Sequence, residues 1–127
     1  MTNRVVHFEI PFDDGDRARA FYRDAFDWQV NEVPDIDYTL VMTGPLGADG
    51  MSSEPGYING GLTRRGEVTS PVLTIEVDDI EGALAKIGSL GGTTVAPKSA
   101  VGDMGFTAYF ADPEGNLIGL WENAAQP

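Results

Sequence analysis

Two stretches of the chain alternate apolar and polar residues with period two. In "VVHFEIPFDD" Phe8 and Ile10 alternate with His7 and Glu9; in "VLTIEVDD" Leu73, Ile75 and Val77 alternate with Thr74 and Glu76. This spacing predicts half-buried strands at about 4–11 and 71–77. After each Asp-Asp pair the period changes to that of a helix. Ala18, Phe21, Tyr22, Ala25 and Phe26 form one apolar face, and Ile80, Ala83, Leu84 and Ile87 form another. Asp13 or Asp14 is placed to cap the first helix, and Asp78 or Asp79 the second. Gly91-Gly92 ends the second helix. Further strands are predicted near 28–33, 37–43 and 57–64, then near 93–96, 104–111 and 116–122. "DPEGN" (112–116) is turn chemistry that joins the last two as a hairpin. "GPLGADGMSSEPG" (44–56) reads as a long loop, with a lid as one reading and simple disorder as the other.

The two halves match each other. A shift of 65 residues aligns Ile10 with Ile75, Phe12 with Val77, and Asp13-Asp14 with Asp78-Asp79. It also aligns Ala18 and Ala20 with Ala83 and Ala85, and Val30 with Val95. The chain is therefore predicted as one α+β domain over 1–127, built from two βαβββ modules at about 4–66 and 70–123. In each strand one parity is apolar and belongs under a helix: Phe8 and Ile10; Leu73, Ile75 and Val77; Phe106, Ala108 and Phe110; Ile118 and Leu120. The other parity is mixed. It holds His7 and Glu9, Thr39 and Val41, Asn59, Gly61 and Thr63, Thr74 and Glu76, Thr107 and Tyr109, and Gly119 and Trp121. A face with so few charges suits the wall of a cleft better than a solvated sheet.

Composition narrows the chemistry. Twenty acidic against eight basic residues give a net charge of −12, which repels a polyanion, so no nucleic-acid partner is expected. Lys86 and Lys98 are the two lysines among the eight basic residues. An acidic, lysine-poor surface suits a high-salt interior, and in that case stability rises strongly with added KCl; an ordinary acidic protein is indifferent to it. The absence of cysteine excludes disulfides, thiolate metal sites and cysteine nucleophiles. No apolar run approaches a membrane span, and "MTNRVV" has no signal-peptide pattern, so a cytoplasmic protein is expected.

The repeat, with "HFEIPFDDGDRARAFYRDAFDW" at the front and "GFTAYFADPEGNLIGLWE" at the back, resembles the glyoxalase/bleomycin-resistance/dioxygenase (vicinal oxygen chelate) superfamily over about 4–123. "NGGLTRR" and "IGLWE" look most like a glyoxalase-related subgroup without an assigned reaction. The resemblance implies a half-open, barrel-like cleft (the glyoxalase/bleomycin resistance/dihydroxybiphenyl dioxygenase fold), a small organic ligand or substrate, and a homodimer. It also implies a divalent metal held from the first and fourth strands of each module. Those positions fall at His7, Gly61, Val72 and Gly119. Valine and glycine side chains cannot ligate, and Glu9 is the one neighbour that could help His7, so no complete metal site and no cofactor are expected. Glu122 lies on the opposite parity from Gly119 and is discounted as a ligand.

The remaining candidates each carry two readings. His7 and Glu9 are either acid–base groups of a lyase or isomerase related to lactoylglutathione lyase, or hydrogen-bonded structural residues. Trp121 and Tyr109 either meet a flat ligand or fill space. Asn59 and Thr74 either orient a polar ligand or serve the strand. Gly61 and Gly119 either open room for a ligand or meet a backbone need. In the family, metal-free members sequester small aromatic or cationic drugs, which makes a binding protein the first expectation. Arg64-Arg65 has no assigned role beyond an anionic partner or solvent.

Overall fold

The structure is a computed structural model, and it describes residues 3–34, 36–45, 48 and 56–125. The expected loop 44–56 falls mostly on 46–47 and 49–55, outside the described residues. Ten elements follow one another: β1 (Val5–Phe12), α1 (Gly15–Phe26), β2 (Gln29–Val33), β3 (Tyr38–Met42), β4 (Gly60–Arg64), β5 (Val72–Glu76), α2 (Ile80–Ser89), β6 (Thr93–Val101), β7 (Gly105–Ala111) and β8 (Leu117–Asn123). The predicted βαβββ order is present twice. No helix among the described residues is long and apolar enough to cross a membrane.

The chain divides into two compact units. His7–Val72 form the first; the residues up to Val6 join those from Leu73 onward in the second. The opening residues belong with the second unit because Asn3 N donates to Glu76 O and Glu76 N donates to Arg4 O. In the first unit the strand order is β2-β3-β4-β1, and in the second β6-β7-β8-β5. Both place the module's first and fourth strands side by side and parallel. Glu9 lies opposite Gly61 as Thr74 lies opposite Gly119, so the repeat is structural, with β5 set 65 residues beyond β1 and β8 58 residues beyond β4.

Each unit buries its apolar parity under its own helix. Phe12, Val41 and Leu62 form one core with Ile10, Ala18, Tyr22 and Trp28 packed against it. Ile80, Ala108, Phe110 and Leu120 form the other, with Ile75, Val77, Leu84 and Phe106 around it. Two expectations about apolar positions change here, one on α1 and one on β5. Phe21 and Phe26 are more than half exposed and do not join the core. They lie on the flank of α1, and Ala18 and Tyr22 do the packing. Leu73 is also half exposed, unlike Ile75 and Val77.

The caps differ as well. Asp14 caps α1, accepting from Arg17 N at 3.1 Å. Asp79 occupies the equivalent place on α2 without a side-chain bond. There the Glu122 carboxylate accepts from Ile80 N at 2.9 Å, and Lys98 Nζ lies 3.3 Å from it. A carboxylate from β8 thus meets the positive end of the α2 dipole. The "DPEGN" turn forms as read: Asp112 Oδ1 accepts from Glu114 N and Asn116 N, both at 2.9 Å. β6 runs past the predicted end through Pro97, which its position at the end of the strand order and its register shifts tolerate.

Candidate functional site

On the first unit's polar face, strand register sets the rows. Glu9, Gly61 and Leu40 lie abreast, and so do Pro11, Thr63 and Tyr38. Tyr38 is therefore on this face. Thr39 and Val41, expected here, point the other way: both are fully buried, Val41 is in the core, and Arg19 on α1 donates to Thr39 Oγ1 at 3.2 Å. The strand "YTLVM" is apolar on both parities, so its own pattern does not reveal its orientation. Its antiparallel register with Thr63 does.

From the Thr63 row, the phenol of Tyr38 runs along the sheet and crosses the bare backbone of Gly61. Its hydroxyl is hydrogen-bonded to His7 Nε2 at 2.6 Å, and the two rings lie within 14° of parallel. A Cβ at position 61 would collide with the Tyr38 hydroxyl. Gly61 therefore does not open room for a ligand; the tyrosine already occupies that room. Sequence reasoning missed Tyr38, because its place depends on a cross-strand register that the pattern of β3 does not carry.

Burial lowers the pKa of His7 below 6.5, and the nearby Glu9 carboxylate opposes this without cancelling it. The imidazole is therefore neutral near neutral pH. The unfolded chain takes up a proton at about 6.5 while the folded chain does not. This contribution to stability is present in full above 6.5 and is lost as the pH falls through the lowered folded value. Urea melts at several pH values should show parent stability declining below pH 6.5 relative to His7→Gln. Equal pH profiles for the two proteins would contradict it.

Glu9 is 8% exposed. Asn59 acts as a bracket: its Oδ1 accepts from Thr43 N at 2.7 Å and Gly44 N at 3.4 Å. Its Nδ2 is buried and has no hydrogen-bond partner. Arg64 and Arg65 are held by acidic side chains, Arg64 by Asp37 at 2.9 Å and Arg65 by Asp13 at 3.0 Å. A groove of about 420 Å³ lies at the start of α1 among Asp13, Asp16, Arg19, Asp37 and Arg64, and shares Tyr38 with the polar face. Within it Arg19 pairs with Asp16 and Arg64 with Asp37.

The second unit's polar face matches the sequence reading. Thr74, Gly119 and Tyr109 lie abreast, and Glu76, Trp121 and Thr107 form the next row. A Cβ at Gly119 would come within 2.9 Å of Thr74 Oγ1 and 3.4 Å of Tyr109 Cε1. This glycine is likewise enclosed by its neighbours. The Trp121 indole packs over Gly105, whose missing side chain makes room for it. Trp121 Nε1 donates to Asn123 Oδ1 at 2.8 Å, and Asn123 Nδ2 donates to Glu76 Oε2. This chain of bonds fixes the indole plane and places a carboxylate beside it.

The donor set does not fit a divalent metal. Among the described residues no three His, Asp or Glu side chains come together as ligands. His7 Nε2 is engaged by Tyr38, Val72 is a buried valine, and both fourth-strand positions are glycine.

Comparison with known proteins adds three findings. Residues 4–44 match the family described as bleomycin resistance protein-like N-terminal. "Putative glyoxylase CFP32" of Mycobacterium bovis is 26% identical over 116 residues, covering 86% of this chain and 41% of that protein. The chain thus spans about two fifths of the length of the curated relatives it matches. Two solved structures share the fold. Methylmalonyl-CoA epimerase from Mycobacterium tuberculosis aligns with TM-score 0.60 and 18% identity, over 95% of this chain and 88% of that one. A glyoxalase/bleomycin resistance protein/dioxygenase superfamily member from Vibrio splendidus 12B01 aligns with TM-score 0.61 and 18% identity, over 96% and 99%. With the duplicated βαβββ order, these matches show that the chain has the fold of these proteins and that residues 4–44 are similar to the bleomycin resistance protein-like N-terminal family.

Proposed function

We propose that this protein binds a small, flat organic molecule, aromatic or cationic, on the polar face of β5, β8 and β7, and that it does so without a tightly held metal. The observation that carries this reading is the Trp121–Asn123–Glu76 chain of hydrogen bonds. A planar indole held by a polar partner, with a carboxylate in the same chain, suits a flat cation through stacking, cation–π attraction and charge. Tyr109 and Thr74, in the adjacent row, supply hydroxyl groups for a polar edge of the ligand. The family's bleomycin-resistance branch supports a binding role, and the net charge of −12 favours a cation over an anion.

Calorimetric titration with N-methylquinolinium tests it. Saturable binding to the parent is expected, with affinity reduced about tenfold or more in Trp121→Ala and unchanged in Trp28→Phe. Equal affinity for the parent and Trp121→Ala would defeat the proposal.

A second reading, a lyase or isomerase, is favoured by one arrangement: His7 stands beside Glu9 on the polar face with its pKa lowered by burial, a direction that favours the unprotonated form a general base requires. The methylmalonyl-CoA epimerases of the same fold make a proton-abstracting role chemically reasonable. On this reading His7 takes the proton and Tyr38, its hydrogen-bonded partner, must give way to the substrate. Deuterium wash-in at the acidic carbon of methylmalonyl-CoA, present with the parent and absent with His7→Ala, would select it. No wash-in with the parent would reject that substrate and this form of the reading.

A further inference from the structure

We infer that Tyr38 is an internal plug: its phenol occupies the ligand space of the first unit and engages the one retained ligand nitrogen, so that His7 is closed to divalent cations. Missing ligands alone would leave His7 and Glu9 as a weak two-donor site, open to adventitious metal. The geometry does more than that. The Tyr38 ring crosses Gly61 where a side chain at position 61 would stand. Its hydroxyl lies 2.6 Å from His7 Nε2, so that ring nitrogen is already hydrogen-bonded and a metal approaching it would have to displace the phenol. The ring runs nearly parallel to the imidazole, with centroids 6.4 Å apart. Gly61 and Tyr38 are therefore a matched pair. Glycine is required for the tyrosine to cross, and tyrosine fills what glycine leaves. Restoring a glutamate at position 61 would not restore a metal site while Tyr38 remains, because both claim one volume. The exclusion is thus a property of Tyr38, a residue on β3, far in sequence from both family ligand positions of this unit.

The test uses zinc(II) itself and the fact that the chain has a single histidine. The ¹⁵N–¹H signals of the one imidazole report His7 directly, whatever zinc binds elsewhere on an acidic surface. In the parent and in Gly61→Glu, these signals should stay in place as zinc is added. In Tyr38→Ala/Gly61→Glu they should move and saturate, since His7, Glu9 and the new carboxylate are then free to converge. Tyr38→Thr/Gly61→Glu provides a β-branched alternative that suits a strand, should the alanine variant not fold. Saturable movement of the His7 signals in the parent would overturn the inference. So would a folded double variant whose His7 signals remain unmoved.

Discussion

Gly61→Glu should lower the unfolding free energy by more than about 3 kcal/mol, and Gly61→Ala by about 1–3 kcal/mol. Both variants place a Cβ against the Tyr38 hydroxyl, at a residue that is itself buried. The glutamate also adds a carboxylate opposite the buried Glu9, and this like-charge burial costs more than volume alone. Removing the obstacle should recover much of the loss: Tyr38→Ala in the Gly61→Glu background should be more stable than the sum of the two single changes implies. Urea denaturation of the four proteins measures this coupling. Gly61 variants within about 0.5 kcal/mol of the parent would show that Tyr38 moves aside freely. The plug would then be no barrier.

Leu120→Ala should cost about 2–5 kcal/mol. Leu120 is 2% exposed, lies in register between Ala108 and Ile75, and packs beneath α2 with Ile80. Its strand neighbours are Gly119 and Trp121, which face the other way. The alternation along β8 that buries Leu120 under α2 therefore presents the neighbouring Trp121 indole on the opposite face. A cavity under α2 should loosen that strand, so binding of N-methylquinolinium should weaken even at temperatures where the variant remains folded. A loss below about 1 kcal/mol would mean that the core under α2 collapses readily around the gap.

Much of this organisation is legible in the sequence because it rests on local periodicity. The two-residue alternation places Thr74, Tyr109, Gly119 and Trp121 on one face, and the structure sets them in adjacent rows. The internal repeat aligns the front of one module with the front of the other, and the structure adds the pairing of Glu9 with Gly61 and of Thr74 with Gly119. What is not legible depends on side-chain reach between distant strands. Tyr38 meets His7 across 31 positions, from a strand whose two parities are both apolar. The empty look of Gly61 and Gly119 is deceptive for the same reason: a missing side chain says nothing about which neighbour fills the gap. The α2 cap shows the same limit. Asp79 stands at the right place in sequence, but Glu122 on β8 makes the bond.

Metal content tests most directly whether this protein works without a tight metal. Elemental analysis of protein purified without chelator should find zinc, nickel and iron far below one atom per chain. One tightly held equivalent of any of them, lost in His7→Ala, would contradict it.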